Sequence, residues 1–172
     1  MYGGKVVWMI DPVFASMDSL QTADVTMAIP QDLNLDDQLF TYGVRINTNL
    51  IQDLQSVPIP IITGVVGNQP KTEMFPWYFF PLLTPANNHP IVNNLNALKG
   101  EFVSTIDTIA KKNIKKIGLL KTSKYTKVSS APTRVGLGMV RFEPDQKQFN
   151  KGHQVAAVLL EGKFESVFKN RL

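Results

Sequence analysis

Four residues of this chain are placed where they could do chemistry. Asp11 follows directly on the apolar run Val6-Val7-Trp8-Met9-Ile10 and precedes Pro12. Ligands of open α/β sheets gather at the carboxyl ends of strands, so a carboxylate there is a candidate site residue. Joined by His89, it would offer the acid–base pair of a hydrolase. The competing reading is that Asp-Pro simply turns the chain. Trp77 and Tyr78 lie inside a block, Phe75 to Phe80, in which five of six residues are aromatic. In an extended strand Trp77 and Phe79 face one way and Tyr78 and Phe80 the other. Two aromatic faces imply burial on both sides or one face offered to a partner, such as a glycan stacked on the rings. Asp11, Trp77, Tyr78 and His89 are therefore the candidate interaction surface.

The remaining inventory argues against catalysis. The chain has no cysteine, which removes disulfides, thiolate metal sites and a cysteine nucleophile together. His89 and His153 are its two histidines, too few for a histidine-based metal centre. No G-x-S-x-G occurs, and the glycines of Gly64 to Gly67 are not followed by the Lys-Ser/Thr of a phosphate loop. Gly136 and Gly138 fall in a strand-like run, where a dinucleotide fingerprint cannot work. A non-enzyme without cofactor or metal is expected.

Charge is uneven along the chain. Residues 1–100 hold four Lys/Arg and eight Asp/Glu, whereas residues 101–172 hold fourteen and six, which together give the net +4. Seven lysines crowd Lys111 to Lys127. They form either a phosphate-binding patch or the solvated face of a hairpin whose inner face is Ile114, Ile117, Leu119 and Leu120. The scarcity of interleaved arginine and aromatic residues argues against a nucleic-acid partner.

The elements that must position these residues divide near residue 100. Val6 to Ile10, apolar on both faces, reads as a central parallel strand. Tyr2-Gly3-Gly4 before it resembles a helix exit, so the chain is expected to begin inside a domain, as an excised fragment would. Phe14 to Leu20 suggests a short helix. A second helix over Leu35 to Tyr42 would be capped by Asn34, carry Asp36 and Asp37 in its first turn and end at Gly43. Val44 to Leu54 and Ile59 to Val66 read as strands, the latter an edge because of Pro58 and Pro60. The aromatic block reads as an edge strand with its exit loop. Beyond residue 100 the pattern is strand-rich: Glu101–Ile109, Lys116–Lys121, Lys124–Val128, Arg134–Phe142 and Val155–Phe164, with a helical turn at Ser166–Asn170. The expected organisation is one domain, residues 1–100 an α/β part and residues 101–172 a strand-rich continuation. Met74 to Leu98 lacks any charge, but its four prolines and five asparagines exclude a membrane span.

Several segments resemble the gliding-motility-associated GldG family of Bacteroidetes, an auxiliary, substrate-binding-like component of an ABC transporter. They are GGKVVWMIDPV (Gly3 to Val13), YGVRI (Tyr42 to Ile46), IPIITG (Ile59 to Gly64), the long block from Phe75 to Phe102, LLKTSKY (Leu119 to Tyr125) and VLLEGKFESVFKNR (Val158 to Arg171). The resemblance implies an extracytoplasmic, periplasmic domain held at the inner membrane by anchors outside this sequence. Its implied partners are the permease and ATPase subunits of the same system and other envelope proteins. The implied fold is a partial doubly wound α/β sheet, amidotransferase-like or flavodoxin-like. Amidotransferases of that kind use a cysteine nucleophile, which this chain lacks, so the resemblance implies binding or scaffolding rather than chemistry.

Overall fold

The computed structural model describes residues 3–169. In chain order they form β1 (Val13–Phe14), α1 (Met17–Thr22), β2 (Val25–Pro30), α2 (Asp36–Tyr42), β3 (Val44–Ile46), β4 (Asn49–Asp53), β5 (Ser56–Val66) and β6 (Gln69–Pro85). There follow β7 (Leu98–Lys99), β8 (Ile106–Thr108), β9 (Ile114–Lys121), β10 (Thr126–Ser130), β11 (Thr133–Gly136), two 3-10 turns and β12 (Val155–Gly162). Tyr2 and Asn170, which enter two of the expectations above, lie outside the described residues.

The doubly wound sheet is not formed among the described residues. Every strand pairing is antiparallel. Parallel pairing needs crossovers of a dozen or more residues, usually helical, whereas α1 and α2 span 6 and 7 residues. Val6 to Ile10, expected as the central strand, has no strand partner. The sheets are instead β1-β2-β11, β4-β10, β3-β8 and β12-β9-β6-β5, with β7 added to β6. Strands from before and after residue 100 pair in each of these four sheets.

Local chemistry accounts for both helices. Ser16 caps α1, its Oγ accepting from the Asp18 amide at 3.1 Å. Asp36 and Asp37 sit in the first turn of α2, and Gly43, at φ 86°, closes the helix by donating to the carbonyls of Leu39 and Phe40. The expected Asn34 cap is not made. Leu35 holds the N-cap position, and Asn34 takes a left-handed φ of 53° while its amide donates to Asp32 Oδ1 at 3.2 Å.

Two long expected strands are each interrupted. Val44–Leu54 is split because its halves find different partners, β3 on β8 and β4 on β10. The alternating run from Arg134 keeps its ladder only to Gly136, where pairing with β2 ends and a 3-10 turn (Leu137–Arg141) begins.

The long β5–β6 hairpin organises the core. Its register jumps between Pro58↔Pro76 and Ser56↔Pro81, so Trp77 to Phe80 all lie opposite Val57. A bulge of this size bends the strand and breaks simple alternation. Trp77, Phe79 and Phe80 consequently enter one core cluster with Val13, Leu20, Ala28, Leu50, Ile59, Phe102, Val135 and Val140. The Trp77 and Phe79 rings are 5.4 Å apart, and Phe80 and Phe102 meet edge to face at 5.5 Å. β4 is buried beside this cluster, and its Asp53 is fully enclosed. Ser123 donates to that carboxylate from its amide at 2.8 Å and its hydroxyl at 2.5 Å, and the Gln55 amide adds a third bond at 2.8 Å. Three donors replace the water the carboxylate loses on burial.

Candidate interaction surface

Asp11 is exposed and lines a cleft of about 270 Å3 with Ser16, Asp18, Glu101 and Phe102. The cleft is acidic, but no group of three or more His, Cys, Asp or Glu among the described residues could hold a metal ion. Glu101 is ion-paired with Lys99 on the exposed side. Ser16 Oγ is engaged in capping α1, so it is not poised as a nucleophile. Phe102 is held at φ 49°, unusual for a bulky side chain, with its amide donating to the Phe79 carbonyl at 3.0 Å. That strained corner attaches the cleft wall to the aromatic bulge.

His89 does not line this cleft. It sits in the turn after β6, where its amide donates to Asn87 Oδ1 at 2.7 Å and its Nδ1 accepts from the Ile91 amide at 3.3 Å. Its carbonyl accepts from Val92 and Asn93. An accepting Nδ1 leaves the ring proton on Nε2, and the residue serves to fold the turn. Asp11 and His89 are thus placed in different local structures. His153 is likewise engaged, its Nδ1 lying 2.8 Å from the Thr122 carbonyl.

Trp77 is only 1% exposed and has no ring face for a sugar. It is a core residue. Tyr78, pointing out of the bulge, is half-buried and meets Phe149 edge to face at 5.8 Å. Its hydroxyl pKa is raised above 10.0, first by burial and then by the nearby Glu143 charge. The aromatic block, the most conspicuous feature of the sequence, is thereby mostly consumed by packing.

Five of the seven lysines of residues 111–127 have separate local partners. Lys111 lies over the Phe40 ring at 5.0 Å, Lys115 pairs with Glu161 at 3.5 Å, Lys116 Nζ donates to the Ile114 carbonyl at 3.0 Å, Lys124 lies over Tyr125 at 4.9 Å, and Lys127 donates to Gln148 Oε1 at 2.7 Å. These five cations are each used locally, as on a solvated strand face.

The surface that stands out is the tip of the β5–β6 hairpin, which contains none of Asp11, Trp77, Tyr78 and His89. Beyond Ile61 the β5–β6 ribbon leaves the core, and every residue from Ile62 to Met74 is exposed except half-buried Glu73. Ile62, Val65, Val66 and Met74 are 60–70% exposed at this tip. Gly67, at φ 64°, opens the two-residue turn with Asn68, a position where L side chains are strained. No charged residue lies between Asp53 and Lys71, and Lys71 is itself paired with Glu73 at 2.5 Å. The signal was present: Gly-Asn between two strand-like runs is a hairpin turn, and an uncharged tip follows from the composition around it. An apolar ribbon end held away from the core can do no bond chemistry, but it can bury itself against another apolar surface.

No helix among the described residues is long and apolar enough to cross a membrane. No curated protein and no solved structure shows significant similarity to the chain. The whole of it, residues 1–172, matches the auxiliary-component family described as an ABC-type uncharacterized transport system. A match over that length means that this chain belongs to the family of ABC-type transport system auxiliary components.

Proposed function

We propose that this auxiliary component is a non-catalytic docking domain, and that the tip of the β5–β6 hairpin is what it docks with. The carrying observation is the tip itself, with Ile62, Val65, Val66 and Met74 exposed on a ribbon that has no charge from Leu54 to Pro70. Burying such side chains is worth about 25 cal/mol per Å2 and needs no compensating ion pairs, so an apolar surface is the matching partner. The permease of the same transport system would be that partner, and the ATPase would be reached through it.

The resemblance to gliding-motility accessory proteins supports a finer reading. The domain would work on the periplasmic side, held at the inner membrane by anchors outside this sequence, and connect the transporter to other envelope proteins. Among the described residues, Asp11 and His89 stand in different local structures and Ser16 caps a helix, an arrangement that favours a scaffold over a hydrolase. The test is co-purification of the permease with the native chain and with a Val65→Asp/Val66→Asp variant. Loss of the permease from the variant, with its melting temperature unchanged, is expected. Equal recovery by both proteins would remove the tip from the interface.

A further inference from the structure

A second apolar segment, Lys5 to Asp11, is exposed for a different reason. Val6, Val7 and Met9 are 73%, 83% and 92% exposed, and Trp8 is 47% exposed. Among the described residues no backbone or side-chain hydrogen bond and no ion pair involves Gly3 to Asp11. The segment is tethered at its end, where the Gln31 amide donates to the Pro12 carbonyl at 2.8 Å and Ile10 lines a small cavity with Leu33, Leu35 and Leu39. A run of strand-forming residues with its amides and carbonyls unpaired is a template for strand addition. On the hairpin, Pro58 and Pro60 in β5 and Pro70 and Pro76 in β6 interrupt the row of amide donors. Lys5 to Asp11 contains no proline.

We propose that this segment pairs with the same segment of a second copy of the chain, antiparallel and about a two-fold axis through Trp8. The sequence selects that register. With Trp8 opposite Trp8, Val7 faces Met9, Val6 faces Ile10, and Lys5 faces Asp11 at both ends. Shifting the axis to Val7 puts Lys5 against Met9 and Asp11 against Gly3, and shifting it to Met9 puts Asp11 against Val7. The central register alone among these three matches opposite charges and keeps apolar residues opposite one another. A two-fold interface must be self-complementary, and the palindromic order Lys–apolar–Asp supplies this. In the paired strand Lys5, Val7, Met9 and Asp11 share one face, while Val6, Trp8 and Ile10 share the other, where the two indoles meet across the axis.

The absence of native cysteine makes the register directly measurable. Trp8→Cys places two thiols opposite each other, and mild oxidation is expected to convert the chain to a covalent dimer. Met9→Cys places its thiols diagonally, roughly 7–8 Å apart, beyond the reach of a disulfide without backbone movement, and should stay monomeric in the same assay. By sedimentation equilibrium the native chain is expected to dimerise, and Lys5→Asp to weaken association roughly tenfold by setting like charges opposite each other at both ends. The exchange Lys5→Asp/Asp11→Lys should restore it. These positions are exposed, so a folding defect does not confound the series. A chain that stays monomeric, a dimer indifferent to Lys5→Asp, or equal cross-linking at positions 8 and 9 would each overturn the proposal. Protection of the segment by a permease instead of a second copy would also do so.

Discussion

The two ends of the β5–β6 hairpin are built from similar apolar residues and do opposite things. At the base, Trp77, Phe79 and Phe80 are inserted by a bulge into a core shared with β1, β2, β4 and β11. At the tip, Ile62, Val65, Val66 and Met74 have nothing packed over them. Hydrophobic content alone therefore does not mark a binding face. What separates the two ends is whether the rest of the chain supplies neighbours, and the larger aromatic residues have them while the aliphatic ones do not. The base holds the fold, and the tip is left available to a partner.

This division predicts a graded set of stability losses by chemical denaturation. Trp77→Ala removes the largest fully buried side chain and should cost roughly 3–5 kcal/mol, because the surrounding rings cannot close the cavity. A loss under 1 kcal/mol would mean that the bulge is not the keystone of the core. Asp53→Asn keeps the shape of the buried carboxylate but turns an amide N–H2 toward donors on Ser123 and Gln55, at a cost of about 2 kcal/mol. Val65→Asp/Val66→Asp at the tip should stay within about 0.5 kcal/mol of the native chain, since nothing packs there. A large loss in that variant would place the tip in the core's cooperative unit.

Tyr78, at the edge of the base, gives a smaller and pH-dependent effect. Its raised pKa means that the unfolded chain loses the phenol proton at lower pH than the folded one. The contribution is complete below 10.0 and is lost as pH rises from 10.0 through the raised folded value. Melting temperatures followed across that alkaline window should fall less steeply for Tyr78→Phe than for the native chain. Identical slopes would show that the ring is as solvated folded as unfolded.

How much of this was legible depends on the range of the interaction concerned. α2 was readable from Asp36, Asp37 and Gly43 because capping and dipole effects act within one turn. The short strand-like segment Lys116–Lys121 and the apolar run of Val155–Phe164 mark β9 and β12 for the same local reason. The bulge was not readable, since Trp77 to Phe80 lie opposite Val57, about twenty residues away, and only that pairing sends three of the four rings into one cluster. Val6 to Ile10 carries the pattern of a doubly covered strand, but a pattern records what a segment can bury, not whether partners are present. Asp11 and His89 looked complementary by residue type, yet one lines an open cleft and the other spends its Nδ1 on a turn. The exposed apolar residues of the tip are uncharged aliphatic ones, which acquire meaning once the strand leaves the core.

The most direct measurement of the docking account is the affinity of the purified chain for its cognate permease in detergent or nanodiscs, compared between the native protein, Val65→Asp/Val66→Asp and Tyr78→Ala. Binding by the native chain, at least a tenfold loss in the tip variant (about 1.4 kcal/mol) and little change in the Tyr78 variant is the predicted result. Unchanged affinity in the tip variant, with loss confined to Tyr78→Ala, would move the interface to the base of the hairpin and contradict the account.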